Sequence, residues 1–380
     1  MKIGDRHYRT IWAEDGVVRI IDQTLLPHEL RIVPLETLEE AAHAISTMQV
    51  RGAPLIGAAA AYGLALAMAE DPSDTGLERA LQVLLATRPT AVNLRWALDR
   101  CRAVLADIPP QERAAASLRE AGAVADEDVE RNRTLGAVAA DLLTRIAADR
   151  DHPVTSTAPL HVLTHCNAGW LATVDHGTAT AGIYHAHDQG LPLHVWVDET
   201  RPRGQGARLT AWELGQHGVP HTVIADSAAA HLLATARVDV VIVGTDRTAA
   251  NGDVANKIGT YPLALAAHDN RVPFHVAAPG PSIDFGARSG ADIPIEERSG
   301  EELTWVSGLA RDGSPAQVRV TPETSAAANP AFDITPARLV TGIITERGIA
   351  QASESALARM YPEEAGAASN GPGSQPHQGD

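Results

Sequence analysis

Cysteine is almost absent from this chain: Cys101 and Cys166 are its only two in 380 residues. Two cysteines cannot build a disulfide framework or a thiolate zinc site, and their scarcity fits a reducing compartment. Lysine is equally rare. Lys2 and Lys257 are the only lysines among 31 basic residues, the rest being arginine, so a lysine at 257 is no casual surface charge. Basic residues as a class are outnumbered by 47 acidic ones, for a net charge of −16. That balance argues against nucleic acid or an anionic membrane as a partner, since both need a basic footprint. A signal-peptide pattern is missing at the amino terminus, and the apolar run Leu55–Ala69 is too short and too rich in Ala and Gly to span a bilayer. The expectation is a soluble cytoplasmic protein.

Two cofactor signatures are missing as well. The nearest approach to a dinucleotide fingerprint, Gly204-Gln205-Gly206, lacks the third glycine at the required spacing and lies in an arginine-rich loop. Sixteen histidines invite a metal reading, but His185 and His187 are two apart on an expected helix and point different ways. His165, His176 and His194 have no ligand spacing, so no metal is expected.

What is present points to an α/β protein. The length allows two domains, each with its own core. Runs such as Val17–Ile21 predict a small antiparallel sheet, and an Ala-rich helical pattern continues from Leu35 to about Arg150. Residues 1–150 are therefore expected to form a smaller, mainly helical amino-terminal domain. Beyond them the apolar runs His161–Leu163, Leu193–Val197, Thr222–Ile224, Val238–Val243 and Phe274–Ala277 alternate with helix-like stretches. Such alternation predicts a Rossmann-like, mostly parallel, doubly wound sheet over residues 151–360. The region past Asp284 reads as irregular until a closing helix near Pro336–Arg347. Residues 361–380, rich in Gly, Ser, Pro and Gln from Gly366 on, are expected to be disordered.

The densest chemistry follows the run Val240–Val243, a strand pattern buried on both faces. Asp246, Arg247, Asn251, Asp253, Asn256 and Lys257 come directly after it, where open α/β sheets bind ligands. His165, Cys166 and Asn167 follow the first strand, and Asp198, Glu199, Arg201 and Arg203 follow the second. One crevice along one sheet edge is the result. Cys166 between strand and helix is a candidate thiolate, because a helix amino end lowers a thiol pKa; the alternative is a structural cysteine. Asp246 is a candidate acid or base across the same crevice, the alternative being a helix cap. Arg51-Gly52-Ala53-Pro54 opens a helix with a cation beside free backbone N–H groups, a ready anion site. Arg88 before Pro89 resembles it.

Taken together, RGAPLIGAAAAYG, RPTAVNL, THCNAG, VDETRPRGQGARLTAWEL, GTDRTAANGDVANKIGTY and NPAFDITP resemble the methylthioribose-1-phosphate isomerases, in order from about Asp22 to Gly348. The wider superfamily includes ribose-1,5-bisphosphate isomerases and regulatory subunits of a translation-initiation exchange factor. The resemblance implies a cofactor-independent aldose–ketose isomerisation of a phosphorylated pentose in methionine salvage, by a homodimer. It assigns catalysis to Cys166, as base or transition-state stabiliser, and to Asp246 as proton donor. It assigns substrate contacts to Arg51, Gly52, Ala53, Arg88, Gln205, Asn256 and Lys257. Alternatives are a related sugar 1-phosphate, 5-deoxyribose 1-phosphate or ribose 1,5-bisphosphate, and a non-catalytic regulatory protein that senses a sugar phosphate or nucleotide. Trp170 departs from the family pattern; if it lines the 5-end, it speaks against a second phosphate.

Overall fold

The computed structural model describes residues 1–369. Near the amino end three antiparallel strands, β1 (Ile11–Glu14), β2 (Val17–Ile21) and β3 (Ile32–Leu35), form the small sheet that the sequence predicts. Five helices follow: α1 (Leu38–Ser46), α2 (Ala53–Glu70), α3 (Asp74–Thr87), α4 (Val92–Leu105) and α5 (Pro110–Ala148). Thr37 starts α1 through a reciprocal capping box with Glu40. Helix α2 is apolar all round because it is a core helix: its buried residues face α1, α3, α4 and α5. By length and composition alone it could cross a bilayer, yet 72% of it is buried inside the protein.

The large sheet begins with β4 (Leu160–Thr164), then α6 (Ala179–Asp188), β5 (Leu193–Asp198), α7 (Ala211–His217), β6 (His221–Ile224), α8 (Ala228–Ala234) and β7 (Val240–Val243). A short ribbon, β8 (Arg247–Ala249) and β9 (Val254–Lys257), precedes α9 (Thr260–Asp269) and β10 (Phe274–Ala277). Then come β11 (Ile283–Asp284), the hairpin β12 (Trp305–Leu309) and β13 (Pro315–Arg319), β14 (Phe332–Thr335), β15 (Gly342–Thr345), β16 (Gly348–Ala350), α10 (Glu354–Met360) and α11 (Pro362–Ser369).

Seven strands make the large sheet in the order β16-β15-β10-β7-β4-β5-β6, all parallel except the β15–β16 pair. Alternate side chains face opposite ways, and each face has its own apolar core. Val162, Val195, Val240 and Ile242 pack on α5 and α6, whereas Leu163, Val241, Val243 and Val276 pack on α8 and α9. The sheet is doubly wound, as the run of alternating strands and helices predicts. The chain runs outward from β4 through β5 to β6, then returns to place β7 on the other side of β4. That reversal is a topological switch point, and the loops leaving β4 and β7 open a crevice between them. A second sheet, β11-β8-β9-β14, stands at this edge.

Two expectations fail near the carboxyl end. The closing helix is instead a single 3-10 turn, Ala337–Leu339, followed by strand β15. Its Gly342-Ile343-Ile344-Thr345 is rich in β-branched residues and is paired on both edges, by β10 and β16, which outweighs the helical spacing around it. The expected disordered tail begins too early, because Pro362–Ser369 is helix α11, anchored where Arg347 pairs with Glu363. Residues 370–380 lie outside the described residues.

Candidate active site

Cys166 and Asp246 meet in one cavity at the switch point. Arg51, Gly52, Ala53, Arg88, Gln205 and Lys257 share its lining. The space between its walls is about 740 Å³, including open solvent at the mouth.

Cys166 leaves the end of β4 in a left-handed conformation, with φ of 65°. Two hydroxyls hold this unfavourable backbone: the Cys166 N–H donates to Thr200 Oγ1 at 2.8 Å, and Thr210 Oγ1 donates to its carbonyl at 2.7 Å. The helix-end thiolate expected from the sequence is not present. The chain after Cys166 makes a turn, and the next α-helix starts only at Ala179. Burial pushes the thiol pKa up, with the Asp246 charge adding to that and Arg51 and Lys257 opposing it. Cys166 is held as a thiol.

Asp246 follows β7, and its carboxyl receives no hydrogen bond from the protein among the described residues. Burial raises its pKa, against the pull of Lys257, Arg51 and Arg88. A buried carboxyl whose pKa is raised above the ordinary range is suited to giving up and taking back a proton.

The anion seat joins two parts of the fold. Gly52 caps α2 at φ 98°, and a Cβ there would collide with the Ala172 backbone, so the helix end can approach the sheet loop only with glycine. Pro54 stands in the first turn, and Gly52 and Ala53 at the start of α2 line the cavity beside Arg51. Arg51 donates to the Asn167 side chain and, at 2.9 Å, to the Asn167 carbonyl. Lys257 Nζ donates to the Ala331 carbonyl at 2.8 Å and lies 4.7 Å from the Phe332 ring centre; burial lowers its pKa. Arg51 and Lys257 touch no carboxylate among the described residues. Arg88 does: it pairs with Glu296 at 3.2 Å. Arg88 also closes α3, and α4 starts four residues later at Val92, so it is not the helix-start cation that its motif suggests.

Gln205, which lines the cavity, opens a π-helical turn, Gly206–Thr210, and its buried Oε1 has no partner among the described residues. Asn256 is not on the cavity wall. On β9 it faces away from Lys257, and its amide donates to Thr260 Oγ1 at 3.0 Å. Trp170 is fully buried against Trp212 and does not line the cavity. The apolar wall is Met48, Ile56, Ala91, Ala255, Ile293 and Phe332 instead. Of these, Ile293 and its neighbour Pro294 sit in the stretch that reads as irregular, with no periodicity to single them out.

Asp198, expected on the crevice edge, does not line the cavity and stands beside Asp226 instead. His165, Asp198 and Asp226 place ligand atoms within 4.8 Å of one another, a spacing that a metal could use. Protein groups already occupy most of these atoms. His165 bonds Asp198 Oδ2 and the Ile258 carbonyl, both at 2.9 Å, while Asp226 accepts from the N–H groups of Thr200 and Arg201. Only Asp198 Oδ1 lacks a partner. Burial alone would lower the His165 pKa, but Asp198 raises it overall. Through both ring nitrogens, His165 ties the Cys166 loop to the Lys257 loop.

Comparison with known proteins agrees with this architecture. Residues 49–352 match the model of the Initiation factor 2 subunit family. A methylthioribose-1-phosphate isomerase of Sinorhizobium medicae is 61% identical over 96% of this chain and 100% of its own length. Among solved structures, 5-methylthioribose 1-phosphate isomerase from Pyrococcus horikoshii superposes with a TM-score of 0.80 at 42% identity, covering 94% of this chain and 96% of that one. A structure titled translation initiation factor eIF-2B, subunit delta, from A. fulgidus gives 0.77 at 40% identity, over 94% of this chain and 100% of its own.

Proposed function

As this chain belongs to the Initiation factor 2 subunit family, we propose that it converts 5-methylthioribose 1-phosphate to 5-methylthioribulose 1-phosphate in methionine salvage. The observation that carries the proposal is the shared cavity. A carboxyl whose pKa burial raises and a thiol face one space in which two cations lack carboxylate partners among the described residues. The relatives named for this reaction match the chain over nearly its whole length.

The chemistry follows from where charge must move. A sugar carrying phosphate on carbon 1 cannot open its ring as a free sugar does. Asp246 gives its proton to the ring oxygen as the bond from that oxygen to carbon 1 breaks. The electron pair and hydrogen of carbon 2 then pass to carbon 1, and the proton on oxygen 2 goes to the Asp246 carboxylate. Carbon 2 ends as a ketone, carbon 1 as a phosphorylated methylene, and Asp246 as an acid again. In the alternative route a base removes the carbon-2 proton to give an enediol. A thiol must first lose its own proton to do this, so the raised Cys166 pKa supports the hydride route, with Cys166 beside the migrating hydrogen as stabiliser.

Charge accounting supports a single phosphate. Arg88 is answered by Glu296, and Arg247 by Asp284 and the Thr90 carbonyl. Arg51 and Lys257 remain, enough for one phosphate dianion, and the apolar wall suits a methylthio group better than a second phosphate. The presence of Cys166, Asp246 and Lys257 in one cavity supports an enzyme over a regulatory protein. A cytoplasmic homodimer is part of the same proposal. Two buried free cysteines fit the compartment, and the exposed apolar residues of the β12–β13 hairpin, Trp305, Val306, Leu309 and Val318, fit a subunit contact.

Purified protein given methylthioribose 1-phosphate, 5-deoxyribose 1-phosphate and ribose 1,5-bisphosphate should have its largest kcat/KM on the first. Preference for the bisphosphate, or no turnover of any of the three, would refute the proposal.

A further inference from the structure

Arg51 forms no ion pair among the described residues, and its geometry is set by one neighbour. Both of its hydrogen bonds go to Asn167, one to the side-chain oxygen and one to the backbone carbonyl. Asn167 is itself buried, and its Nδ2 donates to Thr210 Oγ1 at 3.2 Å and to Glu213 Oε1 at 3.1 Å.

Glu213, on α7, is fully buried and forms no ion pair among the described residues. The Leu171 N–H donates to its Oε1 at 2.8 Å, and the Tyr184 hydroxyl donates to its Oε2 at 2.9 Å. A Cβ at Gly169 would overlap this carboxylate, so the loop after Cys166 is moulded around it. Burying a carboxyl without a cation is costly and needs a reason.

The reason is orientation. The two ends of an asparagine amide have almost the same shape, so packing does not decide which one faces Arg51. Glu213 Oε1 already accepts from the Leu171 N–H, so it presents an acceptor to Asn167 whether or not Oε2 carries a proton. Thr210 spends its own hydroxyl proton on the Cys166 carbonyl and must accept from Asn167 as well. Two acceptors on one side force the NH2 of Asn167 toward them and its oxygen toward the guanidinium.

We infer that Glu213, acting through Asn167, is a positioning residue that aims Arg51 at the phosphate of the substrate. The inference rests on the reading of Arg51 as an anion contact. Because Thr210 joins the same network to the Cys166 backbone, the thiol and the phosphate contact are placed by a single set of hydrogen bonds.

The test is inorganic phosphate binding by calorimetry on the full chain, which needs no turnover. Glu213→Met keeps the volume and removes the acceptor, and should weaken phosphate binding about tenfold. Glu213→Gln still offers a carbonyl oxygen to Asn167, while Tyr184 can accept from the new NH2, so it should restore affinity to within about threefold of the parent. Arg51→Ala should also weaken binding, and adding Glu213→Met to it should cost nothing further, because the effect runs through Arg51. If Glu213→Met does not fold, Asn167→Leu enters the same cycle with the same expectation. A purely structural Glu213 would lower the melting temperature and leave the phosphate Kd of the folded protein unchanged. That result, or independent multiplying effects of the two variants, would overturn the inference. Unchanged phosphate affinity in Arg51→Ala would remove the anion seat itself, a distinct failure.

Discussion

Cys166 and Asp246 leave the carboxyl ends of two directly paired parallel strands, β4 and β7, and burial raises the pKa of both. Strand pairing alone brings together two residues that lie 80 positions apart along the chain (246 − 166). Their pairing leads to the first prediction. Asp246→Asn keeps the shape and loses the proton, so kcat should fall by roughly 10²–10⁴ with an unchanged circular dichroism spectrum. Turnover near the parent rate would show that another group protonates the ring oxygen.

A second prediction concerns the hydrogen on carbon 2. With Cys166 a thiol in a dry cavity, the hydrogen should pass to carbon 1 without exchange. Substrate deuterated at carbon 2 should yield product that retains the label fully by mass spectrometry. Wash-out into solvent would establish the enediol route.

The strap that carries Ile293, Pro294 and Glu296 puts a carboxylate on Arg88, where a substrate phosphate would compete for the same guanidinium. Glu296→Gln should tighten phosphate inhibition by about two- to tenfold at low salt, with a smaller gain at high salt. An inhibition constant that does not move would mean that Arg88 takes no part in anion binding.

Gly52 tests the meeting of α2 with the sheet. Gly52→Ala introduces a side chain at positive φ and drives it into the Ala172 backbone. A loss of about 2 kcal/mol or more in stability is expected, together with weakened phosphate binding. Denaturant unfolding combined with calorimetry measures both, and a neutral substitution would contradict the close approach.

The last prediction is a pH dependence of stability. Burial lifts Glu213 from an ordinary 4.5 to about 7. Between those values the native state binds more protons than the unfolded chain. Stability from this group is therefore complete below the lower value and is lost as pH rises through the upper one, by about 3 kcal/mol in all. Glu213→Gln has nothing to titrate there. Melting curves from about pH 4 to about pH 8 should decline more steeply for the parent than for the variant. Parallel declines would exclude the shift.

Much of this was legible along the chain because it is written in local periodicity. Alternating apolar runs and helical stretches marked the doubly wound sheet, and Arg51-Gly52-Ala53-Pro54 marked the start of α2. The failures are of one kind. Gly342–Thr345 became a strand because two neighbours pair with it, a fact absent from its own spacing. Trp170 turned into the core and Asn256 away from the cavity, since a residue's place in a motif does not say which way its side chain points. Cys166 lost its expected helix end to a turn, and burial then reversed the direction of its pKa.

By itself, then, the order of residues determined the class of fold, the kinds of chemical group available and the strand ends that hold them, because each depends on neighbours a few positions away. Tertiary structure decided the rest. Strand order set β4 beside β7, segments from both ends of the chain supplied the apolar wall through Met48 and Phe332, and burial raised the pKa of Cys166, Asp246 and Glu213. Contacts between distant segments and the exclusion of water arise only once the chain has closed on itself.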